Sequence, residues 1–117
     1  MFLPTSTSHH FTSEFARKKQ LLPEELSALV FSHGSMKLRY YAPQEEDRQI
    51  AHAQDELYIV ISGSGFFEQN GKEHSFQPHD VIFVPAGVDH RFRNFTEDFA
   101  TWVIFYGSPG GEVILGR

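Results

Sequence analysis

Three residues of this sequence, His52, Glu56 and His90, carry the donor types that hold divalent cations. Two imidazoles and one carboxylate on one side of a metal is the arrangement associated with non-heme iron, with positions left open for substrate and oxygen. His52 and Glu56 lie in the run Ile50–Ser62, which reads as one strand. Residues of equal parity share a face of a strand, so Ile50, His52, Gln54, Glu56 and Tyr58 are expected to point the same way. His90 follows the turn Pro85–Gly87 and is the natural third ligand from a neighbouring strand. Glu56 also stands as a candidate general base, with Tyr58 beside it as a second candidate catalytic group. Gln54 reads as a hydrogen-bonding residue of the pocket. Phe92, of one parity with His90, reads as an apolar wall. The bland readings are a hydrogen-bonded pair for His52 and His90, and a rim ion pair with Arg48, Arg91 or Arg93 for Glu56. Seven histidines in 117 residues guarantee some accidental spacings, so spacing alone decides little.

The elements that must position these residues are strands. Leu29–Phe31 runs into a turn at Ser32–Ser35, and Met36, Leu38 and Tyr40 then alternate with Lys37, Arg39 and Tyr41. That period of two marks a half-buried strand. Pro43–Arg48 reads as a polar loop. Phe66–Gln69 and Lys72–Phe76 flank Asn70-Gly71, the strongest short hairpin signal. Val81–Val84 reads as a short buried strand, Arg91–Phe95 alternates, and Phe99–Tyr106 forms a last long strand. Many short strands separated by turn residues mean an all-β sandwich or barrel. Residues 28–117 are assigned to that barrel. Residues 1–27 are assigned to an N-terminal arm, with one helical turn expected over Glu24–Ser27 because Pro23 suits a first helical position.

Composition narrows the function classes. The length suits one domain. Twelve Phe, with four Tyr and one Trp, suit the filling of a barrel or the lining of an apolar pocket. A formal charge of −5 argues against nucleic acid or an anionic membrane as partner, since both need a basic face. It leaves neutral and cationic small ligands open. Cysteine is absent, which removes disulfides, thiolate catalysis and Cys-rich zinc sites. The first residues lack the pattern of a signal peptide, and the longest apolar runs are strand-sized. A cytoplasmic setting is the resulting expectation.

The site residues also carry a resemblance. Ile50, His52, Glu56 and Gly63 match the spacing of the first motif of the cupin superfamily, Gly-x5-His-x-His-x3/4-Glu-x6-Gly. Pro85, Gly87, His90 and Asn94 match the second, Gly-x5-Pro-x-Gly-x2-His-x3-Asn, at every interval. The resemblance spans Met36–Tyr106 and implies the cupin double-stranded β-helix, a jelly-roll barrel. It departs from the pattern at Ile50, where the family has its first His, and at Gln44 and His79, where it has Gly. His79 is tolerable there, because His accepts positive φ more readily than most residues. The resemblance implies a divalent metal on His52, Glu56 and His90, iron(II) first, with manganese, nickel or zinc as alternatives. A dioxygenase-like oxidoreductase acting on a small oxygen-bearing substrate follows. Loss of the ligand at Ile50 frees a coordination position, suiting diketones, catechols or hydroxy acids. Two other readings remain open: a non-catalytic small-molecule-binding or sensor cupin, favoured if Ile50 plugs the pocket, and a metal-independent sugar isomerase or epimerase using His and Tyr. Strand edges and apolar faces left uncovered predict a homodimer, to which residues 1–13 contribute by exchange.

Overall fold

The computed structural model describes residues 9–113, so the first eight residues of the expected arm lie outside the described residues. Helix α1 (Ser13–Arg17) opens the described chain. Thr12 caps it, its hydroxyl accepting the N–H of Phe15 at 3.1 Å, which satisfies one of the donors a helix start leaves free. The helical turn expected at Glu24–Ser27 is absent: Pro23–Glu24 is a tight turn, and Glu24 takes a φ of 72° that no right-handed helix accommodates.

Eight strands follow: β1 (Ala28–His33), β2 (Met36–Tyr41), β3 (Asp55–Ser62), β4 (Gly65–Gln69), β5 (Lys72–Phe76), β6 (Val81–Val84), β7 (His90–Arg93) and β8 (Ala100–Tyr106). They form a five-stranded sheet in the order β1-β2-β8-β3-β6 and a three-stranded sheet in the order β5-β4-β7. All pairings are antiparallel. The all-β expectation therefore holds. The Asn70-Gly71 hairpin also forms as expected: both residues adopt positive φ, and Gln69 pairs with Lys72 across a two-residue turn.

The two sheets enclose an aromatic core of Tyr41, Tyr58, Phe67, Phe76, Phe92 and Phe99, with Val60, Val84 and Val103. Phe92 is its hub, with ring centroids of Tyr58, Phe67, Phe76 and Phe99 within 5.3 Å. The registers show which residues of the large sheet face inward. Lys37, Phe105, Glu56 and Val84 form one cross-strand row, and Arg39, Val103, Tyr58 and Ile82 form the next. Because Glu56, Tyr58, Val84 and Val103 are buried, this is the interior face. The outward rows are Leu38, Ile104, Leu57, Phe83 and Tyr40, Trp102, Ile59, Val81. Strand β2 thus turns its basic parity inward and its apolar parity outward. Strand β6 is not buried on both sides as its composition suggested, since Val81 and Phe83 stand exposed at the sheet edge.

The turn Gly63–Gly65 docks on the segment leading into β8. Thr96 donates its N–H to the Ser64 carbonyl and accepts the Ser64 N–H through its hydroxyl. Gly63 has a φ of 84°, and a Cβ there would lie 2.5 Å from the Phe99 Cα. Gly71 shares the positive φ but faces open space. We therefore expect Gly63→Ala to cost about 2–4 kcal/mol, combining left-handed strain with backbone overlap. Gly71→Ala should cost only about 1 kcal/mol. Thermal melts followed by circular dichroism would show the difference, and equal melting temperatures for the two variants would refute this account.

Candidate metal centre

His90 begins β7, buried between Tyr58 and Phe67. Its Nδ1 lies 2.9 Å from the Val88 carbonyl. A carbonyl can only accept, so Nδ1 carries a proton, and the neutral ring in that tautomer presents its Nε2 lone pair. That nitrogen points at Glu56 on β3, 3.3 Å from Oε1. Glu56 is 1% exposed. Burial pushes its carboxyl up to about 7, opposed by the Tyr58 hydroxyl and reinforced by the charge of Asp47.

His52 reaches the same point from a loop rather than from a strand. The run Ile50–Ser62 is not continuous β structure: β3 starts at Asp55, so the parity reading fails ahead of it. Asp55 explains the break. Its carboxylate accepts the N–H groups of Ala86 and Glu112, which bends the preceding chain out of the sheet. The loop is pinned by bonds from Gly87 N–H to the His52 carbonyl and from Gly110 N–H to the Ala53 carbonyl. Gln54 adds two more, donating its amide to the carbonyls of Ser35 and Gly107. Held this way, the His52 ring packs edge-on against Phe105 at 4.7 Å and lies 5.8 Å from the His90 ring. Burial, then the neighbouring His90, holds the His52 pKa below the ordinary value, so the ring is neutral near pH 7.

One donor atom from each of His52, Glu56 and His90 lies within 4.8 Å of the others. His52 Nε2, Glu56 Oε2 and His90 Nε2 are all buried with no hydrogen-bond partner. Buried polar atoms are almost always paired, and three such atoms lying this close together could hold a cation between them. Two imidazoles and a carboxyl group are an apt donor set for a divalent transition metal. The rim ion pair is excluded: Arg48 pairs with Glu46, Arg93 with Glu68, and Arg91 donates to the Asp47 carbonyl.

Sequence reasoning missed the residues that support this cluster. Asp47, assigned to a polar loop, is buried and accepts from the Tyr41 hydroxyl at 2.5 Å and the Phe92 N–H at 2.8 Å. It also accepts both the backbone and the side-chain N–H of Gln49. Gln49 in turn accepts the Tyr58 hydroxyl at 2.9 Å. Tyr58 is fully buried, and burial raises its pKa well above the ordinary value. Phe92 lies in the core rather than beside the cluster. Asn94 ends β7 with a φ of 52°, and His79 adopts 77° where the motif has Gly.

Beside His52 opens a cavity of about 400 Å³, bounded by β2, β8, the loop 49–54 and the segment Glu25–Ser27. Its volume suits a small organic molecule. Gln54 lines it, as expected. Ile50 does not fill it, since that side chain is 73% exposed.

The family profile described as Cupin domain matches residues 37–106. The chain belongs to the cupin family. An uncharacterized protein of Streptomyces coelicolor is 39% identical over 59 residues, covering 50% of this cupin and 56% of that protein. The acireductone dioxygenase of Macaca mulatta is 33% identical over 64 residues, covering 50% of this chain and 36% of that enzyme. The chain therefore spans about half or less of the length of these curated relatives. A crystal structure from Rhizobium leguminosarum, of unknown function, superposes with a TM-score of 0.69 at 22% identity over 86% of this chain and 98% of that one. This likeness supports the double-stranded β-helix fold alone. No helix among the described residues is long and apolar enough to cross a membrane.

The outward position of Ile50 generates a test of the motif itself. Restoring the family residue with Ile50→His should leave metal affinity within about twofold, the ordinary range for a surface substitution. A gain of an order of magnitude in a competition titration would show that residue 50 can turn inward.

Proposed function

We propose that this cupin is a metal-dependent oxidoreductase of the dioxygenase type, acting on a small oxygen-bearing organic substrate. One observation carries the reading: three buried donor atoms, on His52, Glu56 and His90, converge without partners, and one of those residues, His52, lines an open cavity. The partial alignment with acireductone dioxygenases supports it. A divalent ion there, iron(II) first, with manganese, nickel or zinc as alternatives, would polarise a substrate oxygen and bring redox chemistry with dioxygen within reach.

The chain's own residues do the rest. The Val88 carbonyl fixes the His90 tautomer, so that Nε2 is the donor presented. His52 is held neutral and ready to donate. Glu56 supplies the negative charge that a cation needs, in an interior walled by Phe67, Phe105 and Tyr58, which exclude water and strengthen every charge interaction. Tyr58 is a positioning residue in this reading, because its hydroxyl is committed to Gln49. With Ile50 turned to solvent, the cavity side of the cluster stays open to a bidentate substrate. The lack of cysteine suits a cytoplasmic setting.

We further propose that a second copy of the chain covers the outer face of the large sheet. The two outward rows contain no charged residue, and Trp102 and Tyr40 lie at their centre. Among the described residues the arm meets this sheet where Phe11 packs on Phe31 at 4.9 Å and where α1 lies against β2 near Tyr40. An uncharged apolar face fits its own copy across a two-fold axis.

Protein purified without chelator should hold about one divalent ion per chain by elemental mass spectrometry, and His52→Ala or His90→Ala should hold almost none. Metal at a hundredfold excess over its Kd should raise the melting temperature by roughly 10 °C, equivalent to about 2.7 kcal/mol. Metal content unchanged in both variants would reject the site. In sedimentation equilibrium at micromolar concentration a dimer is expected, and Trp102→Glu should yield monomers. A monomeric parent protein would reject the interface.

A further inference from the structure

The parity of β2 that faces the cavity carries Lys37, Arg39 and Tyr41, with Lys37 exposed, Arg39 half-buried and Tyr41 buried. Tyr41 is explained by its bond to Asp47. Arg39 is explained in part: it donates to the Ser27 carbonyl at 3.0 Å and lies 3.7 Å from the Glu25 carboxylate, tying Glu25–Ser27 across the cavity. Lys37 is not explained. It lines the cavity, and none of the ion pairs among the described residues uses it. It belongs to the same cross-strand row as Glu56, with Phe105 between them. Two strand spacings put their backbones ~10 Å apart, a span that a lysine stem and a small ligand bridge together. The lining therefore carries two cations against the one carboxylate of Glu25, inside a chain whose formal charge is −5. The negative charge lies elsewhere, and the cavity is a local reversal that focuses an anion inward.

From this we infer that the cavity selects a small organic anion, whose carboxylate rests on the Lys37 ammonium while its other oxygen donors face the His52–Glu56–His90 cluster. Among diketones, catechols and hydroxy acids, this favours the acids. The orientation of the substrate rests on the metal reading above; the anion site itself does not. Arg39 supports the site by holding its wall and adding positive potential, and Lys37 makes the contact that distinguishes acid from neutral analogue.

Lactate and lactamide differ essentially in that charge and are the probes of choice. Their affinities would be measured by chemical-shift titration of isotopically labelled protein, both metal-free and loaded with zinc, which is diamagnetic. We expect lactate to bind about five- to tenfold more tightly than lactamide, the range for a partly exposed charge pair. Lys37→Met, which keeps the stem and removes the charge, should close that gap, and Lys37→Arg should retain it. Equal affinity for the two probes, no lactate shift at millimolar concentration, or a gap untouched by Lys37→Met would each overturn the inference. Failure to take up zinc would count against the metal reading alone, because the metal-free titration still decides the anion site.

Discussion

The organising constraint of this barrel is the cost of placing carboxylates in a phenylalanine-rich interior. Three acids are buried there, Asp47, Asp55 and Glu56, and each is handled differently. Asp47 accepts four hydrogen bonds and Asp55 accepts two backbone N–H groups. Both are compensated by the chain itself. Glu56 is not: one oxygen faces the lone pair of His90 and the other faces nothing. An uncompensated buried acid is expensive unless a proton or a cation joins it. Full satisfaction suits the two aspartates to a structural role, and the deficit at Glu56 is what the proposed metal would fill.

The two structural acids also explain how the cluster is built. Asp47 ties the loop before His52 to β7 through the Phe92 N–H, and Asp55 ties the loop before His90 to the start of β3 through the Ala86 N–H. The ligands therefore come from three separate segments whose relative positions are set by charge-assisted bonds rather than by continuous sheet. Removing either aspartate would loosen donors it never touches. This division suits a site that must stay ordered before any ion arrives.

Much of this was legible in the sequence, for identifiable reasons. The hairpin at Asn70-Gly71, the strand at Val81–Val84 and the long final strand rest on local turn chemistry and alternation, which need no tertiary information. The second motif pointed to His90, and the structure brings it within 4.8 Å of His52 and Glu56, after the turn that Pro85 and Gly87 shape. Local rules failed where partners came from afar. Parity failed ahead of Asp55 because a distant loop and a C-terminal segment bend the chain there. Asp47 and Gln49 read as solvated because nothing nearby announces that Tyr41, Tyr58 and Phe92 bond to them. The capped helix α1 is too short to show periodicity, and Thr12 was its only signal.

Strand β2 carries the most instructive failure. Alternation of Met36, Leu38 and Tyr40 with Lys37, Arg39 and Tyr41 says that two faces differ, but not which is inside. The usual assumption puts the apolar set in the core, and here it faces out. The inversion leaves half-buried apolar side chains on the outer face and a half-buried guanidinium on the inner one, with Lys37 exposed. It becomes favourable when the outside is covered and the inside is wet. Both conditions match the two proposals: a second copy of the chain on the apolar outer face, and an anion in the cavity that the basic parity lines. One strand's reversed polarity thus links assembly to recognition, since the pairing that puts Leu38 beside Ile104 on the outside also puts Lys37 beside Phe105, at the mouth of the cavity that His52 borders.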